Sequence, residues 1–71
     1  MTAGLAQFIQ HAQVNHSYIR SNDGRLFTVI QKQIISPSIQ WVVVQYDDDE
    51  TFEKISVNHG KVYRQKYNPF I

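Results

Sequence analysis

The eight residues IQWVVVQY, 39–46, constrain this chain more than any other stretch of it. They are rich in β-branched and aromatic side chains, the types that suit a pleated surface. Successive side chains of a strand point to opposite faces, and here both faces come out largely apolar. Such a segment predicts a central strand, buried on two sides. Its sequence neighbours supply partners. "SYIRS" and "RLFTVIQKQII" flank Asn22-Asp23-Gly24, a turn signal in which Gly24 provides the positive φ. Pro37, within Ser36-Pro37-Ser38, breaks the preceding strand and makes the corner. "TFEKISV" and "KVYRQKY" form a further hairpin across Asn58-His59-Gly60, and Asn68-Pro69 ends the last strand. Strands are thus predicted over 17–21, 25–35, 39–46, 51–57 and 61–67. Within 25–35 the phase is ambiguous, since Phe27 and Val29 share one face, Ile30 and Ile34 the other, and Ile35 returns to the first.

Before the strands, Leu5, Phe8, Ile9 and Ala12 stand at i, i+3, i+4 and i+7, with Gln7, Gln10 and Gln13 on the other side. That spacing predicts a short helix over 3–13 with one apolar stripe. About three turns do not persist alone in water, so the stripe must pack on the sheet. The fold class is therefore α+β, mainly β, in a single domain of residues 1–71. The five antiparallel strands are expected to bend into a small barrel, because closure removes exposed edges. The alternative is an open antiparallel sheet covered by the helix.

A chain of 71 residues buries only roughly 60% of its unfolded surface, so its stability is marginal. There is no cysteine to staple it, which leaves association as the remaining device and leads us to expect a homo-oligomer or a docked partner. At 42% apolar and 13% aromatic the chain folds rather than staying disordered. Four Lys and three Arg against four Asp and two Glu give a net charge of +1, too balanced for generic attraction to phosphate or membrane. No apolar run approaches the roughly 20 residues of a membrane span, and the N-terminus has no basic region before a signal-like core. The expectation is a cytoplasmic protein without membrane contact.

Five of the six acids fall between Asp47 and Glu53. Asp47-Asp48-Asp49-Glu50 reads as a hairpin tip, where Asp hydrogen-bonds turn amides. A calcium loop needs alternating oxygens and a glycine at its bend, and neither is present. His11, His16 and His59 lack the spacing of a metal pair, no serine sits in a nucleophile motif, and the three glycines are scattered. We therefore expect no catalysis, no metal and no cofactor. The last strand is more suggestive. Lys61, Tyr63, Gln65 and Tyr67 share one face, while Val62, Arg64 and Lys66 share the other. Lys61, Tyr63, Arg64, Lys66 and Tyr67 could hold a nucleic-acid strand by stacking and phosphate neutralisation. The competing expectation, which we favour, is that Tyr63 and Tyr67 fill a core short of aromatics. Asn68-Pro69-Phe70 reads as a turn that tucks Phe70 and Ile71 onto the barrel.

"WVVVQYDDDETFEKI", 41–55, resembles the middle of a Tudor-type, SH3-like small β-barrel, in which an aromatic strand, an acidic turn and a second aromatic strand follow one another. The helix-then-five-strands order is also similar to the Sm-like RNA-binding fold. The Tudor-type resemblance implies an SH3-like barrel that binds peptides, methylated side chains or nucleic acid through aromatics beside its loops. Carried over by position, Trp41, Tyr46 and Phe52 are the implied protein-binding residues. The functional expectation is a small non-enzymatic adaptor that binds a protein partner through these exposed aromatics, with nucleic-acid binding by the C-terminal strand as the alternative.

Overall fold

The computed structural model describes residues 2–70, in which one helix packs on one five-stranded antiparallel sheet. Helix α1 (Thr2–His11) is followed by β1 (Ser17–Ile19), β2 (Leu26–Ser36), β3 (Ile39–Tyr46), β4 (Phe52–Asn58) and β5 (Lys61–Tyr67). The strands pair in sequence order, β1-β2-β3-β4-β5, as a meander. β3 is the central strand, and Val42, Val43 and Val44 are all buried. The sheet is open. Of the two arrangements the sequence allows, the molecule takes the helix-covered sheet, and β1 and β5 remain its edges. A barrel would need those edges to pair, and β1 engages β2 over only three residues, Ser17–Ile19.

The helix settles on the face that carries Val29, Val42, Val44, Tyr46, Ile55 and Val57. Its own contribution is the stripe read from the sequence: Ile9 and Ala12 are buried, and Leu5 and Phe8 pack against the cluster from its margin. Phe8 also meets Tyr18 and Phe27 edge-on, at centroid distances of 5.3 and 5.9 Å. The helix ends under a cation. Lys32 projects from β2 and donates from Nζ to the carbonyls of Gln10 (2.9 Å) and Ala12 (2.8 Å), groups that a helix terminus leaves without partners.

Two bulges resolve the phase of β2. The register steps between Val29 and Gln31 and again between Ile34 and Ser36, leaving Ile30 and Ile35 as the extra residues. Phe27 and Val29 therefore face the helix before the first bulge, and Lys32 and Ile34 after it. At the corner between β2 and β3, the buried Gln40 donates from Nε2 to the Pro37 carbonyl at 3.1 Å. The β4–β5 connection is a two-residue turn in which His59 (φ 48°) and Gly60 (φ 82°) both lie in the left-handed region, the type I′ pattern that matches strand twist.

Candidate functional site on the helix-free face

Strand parity divides the predicted binding residues between the two faces of the sheet. Directly opposed residues on neighbouring strands share a face. The face away from the helix carries Trp41 on β3, Phe52 and Lys54 on β4, and Lys61, Tyr63 and Tyr67 on β5. The register places Trp41 opposite Ser56 and Ser56 opposite Tyr63, so the two rings flank one serine. Phe52 stands directly opposite Tyr67. Lys54 reaches along this surface until its ammonium lies 4.5 Å from the centre of the Trp41 ring, a cation–π contact. Val43 is directly opposite Lys54 and is fully buried, although no helix covers this side.

Tyr63 is 53% exposed, and Tyr67 is half-buried. The expectation that these tyrosines fill the core is thus corrected: the core lies on the helix side, and period-two alternation turns both of them away from it. Phe70 is 85% exposed, held by an Asx turn in which its N–H donates to Asn68 Oδ1 at 2.9 Å, and its ring meets Phe52 edge-on at 5.9 Å. It leans on one aromatic and is not tucked away; Ile71 lies outside the described residues. Ile19 and Leu26, a cross-strand pair on the same face, are also exposed.

Tyr46 does not belong to this surface. It was expected as an exposed binding aromatic, but it is 4% exposed and faces the helix. Trp41 and Tyr46 are five residues apart on one strand, so they point to opposite faces. The Tyr46 hydroxyl donates to Glu53 Oε1 at 2.6 Å and accepts from Arg20 Nη1 at 3.1 Å. Burial, reinforced by the Glu53 carboxylate, pushes its pKa above the ordinary tyrosine value. Arg64 joins the same network, its Nη1 donating to Glu53 Oε1 at 3.3 Å, while Lys66 stands directly opposite Glu53. The alternative nucleic-acid set is therefore split as well, with Lys61, Tyr63 and Tyr67 on the open face and Arg64 and Lys66 on the helix side.

The acidic tip forms a hairpin turn. Its carboxylates are each taken up within the fold: Asp47 accepts from Thr28 Oγ1 (3.3 Å), Asp48 takes a two-pronged bond from Arg25 (2.9 and 2.8 Å), and Asp49 accepts from the Thr51 N–H (3.1 Å) and hydroxyl (2.7 Å) and from Arg25 Nη2 (3.2 Å). The Arg25 guanidinium holds Asp48 below the usual carboxylate range, and the Thr51 hydrogen bonds do the same for Asp49. Among the described residues, no group of His, Asp or Glu is arranged to hold a metal ion. Arg25, which also lies 4.0 Å above the Tyr46 ring, is the residue sequence reading passed over. In a meander the β1–β2 and β3–β4 turns fall at the same end of the sheet, which is the signal that would have paired a basic turn with an acidic one.

No helix of the described residues is long and apolar enough to cross a membrane. The chain matches no protein-family model, and no curated protein or solved structure shows significant similarity to it.

Proposed function

We propose that this domain is a non-enzymatic interaction module that binds a protein partner, a second copy of the chain included, through the helix-free face of its sheet. The observation that carries the reading is the aromatic surface of Trp41, Phe52, Tyr63 and Tyr67, extended by Phe70 and by the exposed pair Ile19 and Leu26. Tryptophan and tyrosine are the side chains that most often dominate binding energy when desolvated. Trp41 and Tyr63 are the anchors, and Gln31, Gln33 and Gln45, on the same face, are the adaptable polar groups around them. Tyr46 contributes from behind, by fixing β3 and β4 to the core.

One observation favours a second reading. The only charged side chains that the strands place on this face are Lys54 and Lys61, both cations, as a single-stranded nucleic acid would require. Against it, the Lys54 ammonium already lies over the Trp41 ring, where it competes with a stacking base. The protein partner is the better fit.

The test is site-directed photo-crosslinking in the cells the protein comes from, with p-benzoylphenylalanine placed at Tyr63 and, as the control, at the exposed Gln7 on the outer side of α1. A discrete protein adduct from position 63, absent from position 7 and lost in Trp41→Ala, is the expected result. Equal adducts from both positions overturn the reading. Nucleic acid crosslinked at position 63 replaces it with the second.

A further inference from the structure

On the opposite side of the sheet a crevice of about 180 Å³ opens between the N-terminal half of α1 and the strands. Leu5 and Phe8 from the helix and Phe27, Val44 and Ile55 from the sheet supply its apolar walls, and Ser21 and Tyr46 line it as well. Two guanidiniums, Arg20 and Arg64, stand among the lining residues. We propose that this crevice binds a small carboxylic acid with an apolar tail, the tail against Val44 and Ile55 and the carboxylate between Arg20 and Arg64.

The two cations are placed by one hydrogen-bonded pair. Arg20 donates to the Tyr46 hydroxyl, that hydroxyl donates to Glu53, and Arg64 donates to the same Glu53 oxygen. The guanidiniums are thus fixed on either side of a 2.6 Å Tyr46–Glu53 bond. Two carboxylates, Glu53 and Asp23 (Oδ2 3.8 Å from Arg20 Nε), stand against three cations, Arg20, Arg64 and Lys66, the last facing Glu53 across the β4–β5 ladder. The balance favours an added anion. Arg25 is not part of it, being already paired with Asp48 and Asp49. Donors also remain: a guanidinium has five N–H groups, of which Arg64 directs one at Glu53 and Arg20 one each at Tyr46 and Asn22. Their planar forks suit a carboxylate geometrically.

Chemistry and size narrow the ligand further. A bare inorganic anion would meet the arginines but leave the apolar walls of Leu5, Phe8, Phe27, Val44 and Ile55 unfilled, and a neutral apolar molecule gains nothing from the arginines. The volume equals about six water-sized groups at roughly 30 Å³ each, which limits the tail to a phenyl ring or a short alkyl chain. Apolar walls with a few convergent polar groups are the usual make-up of such sites. The crevice opens on the face opposite the one assigned to the protein partner, with Ile19 at the border of both, and neither reading depends on the other.

The experiment is an NMR titration of the methyl-labelled protein with hexanoate, with 1-hexanol and acetate as the chargeless and tailless probes. Saturable shifts of the Val44 and Ile55 methyls by hexanoate, with a Kd on the order of 1 mM, are expected for so small a ligand. 1-Hexanol should bind about tenfold more weakly, the effect of losing a charge-assisted contact, and acetate about a hundredfold more weakly, since it lacks four methylenes of about 0.8 kcal/mol each. Arg64→Gln, a change at an exposed side chain, should bring hexanoate down to the level of 1-hexanol, and Arg20→Gln should act in the same direction. Equal affinities for hexanoate and 1-hexanol, or shifts centred on Trp41, overturn the proposal. So does the lack of any saturable shift.

Discussion

Glu50 closes the β3–β4 hairpin in a conformation that suits it poorly. Its φ of 60° puts a side chain where a left-handed residue costs about 1–2 kcal/mol, and its N–H is committed to the Tyr46 carbonyl at 2.8 Å. Glycine removes that penalty but gives back roughly 0.4–1 kcal/mol through its freer unfolded chain. Glu50→Gly is therefore expected to raise stability by a net amount of up to about 1 kcal/mol, read from urea midpoints at constant m-value. A fall in the midpoint would show that Glu50 is needed for more than its backbone. Tyr46 is the converse case, a residue whose side chain fits its place. Removing its hydroxyl in Tyr46→Phe breaks the bonds to Glu53 and Arg20 and should cost about 1–2 kcal/mol. The raised pKa adds a pH signature. A group whose folded-state pKa exceeds the unfolded one stabilises fully below the unfolded value, about 10 for tyrosine, and loses that contribution as pH rises through the folded value. The Tyr46→Phe variant should lose this part of the alkaline destabilisation, and an unchanged alkaline limb in denaturation profiles would refute the assignment. At this scale the sequence was legible where backbone chemistry decides, as at Gly24 and Gly60, whose φ values are positive. It was less so for Tyr46, because exposure depends on which face the helix covers.

The β3–β4 hairpin is held by a residue from a different hairpin. Arg25, just before β2, grips Asp48 with two prongs and touches Asp49, tying together two turns that are distant in sequence. Asp48 and Asp49 both have lowered pKa values, from different causes. For a carboxylate whose folded-state pKa is depressed, stability is present above the unfolded value, near 4, and is lost as pH falls through the folded one. Arg25→Gln should remove the share that belongs to Asp48, while the Thr51 bonds keep the share of Asp49. Thermal midpoints followed from neutral into acid pH should fall less steeply below about pH 4 in the variant than in the parent, with some slope remaining. An identical acid limb in the two proteins would mean that the ion pair does not couple to folding. The elements themselves follow from local pattern: the i, i+3, i+4, i+7 stripe of α1 packs as its spacing demands, and the double-sided apolar run of β3 is the centre of the sheet. The apparent disorder of phase in β2 was also real information. Parity that changes in mid-strand is what a bulge at Ile30 produces, and only the pairing with β3 turns that ambiguity into a register. What stayed hidden was the contact between elements, Arg25 to Asp48 and Lys32 to the end of α1, because no periodicity encodes it.

For the molecule as a whole, the choice between a closed and an open sheet lay beyond local pattern, since it turns on whether β1 and β5 meet. They do not, and the consequence falls on β5, a seven-residue edge strand exposed along nearly all its length. Its backbone presents unpaired groups to solvent, a template on which another strand could add. Lys61 points to the helix-free face, Arg64 and Lys66 to the helix side, so two copies of β5 brought together would crowd cations on both faces. In that light the basic character of the last strand reads first as protection of an edge, whatever else its side chains bind. The prediction is that Lys61→Thr/Arg64→Thr/Lys66→Thr, which installs a residue favoured in strands, associates as concentration rises whereas the parent does so less. The change takes the net charge from +1 to −2, a larger magnitude that by itself opposes association. Any self-association gained must then come from the unguarded edge, and sedimentation velocity over a concentration series reads it directly. A triple variant that sediments like the parent would leave the charges of β5 without a guarding role and return them to the binding surfaces on either side of the strand.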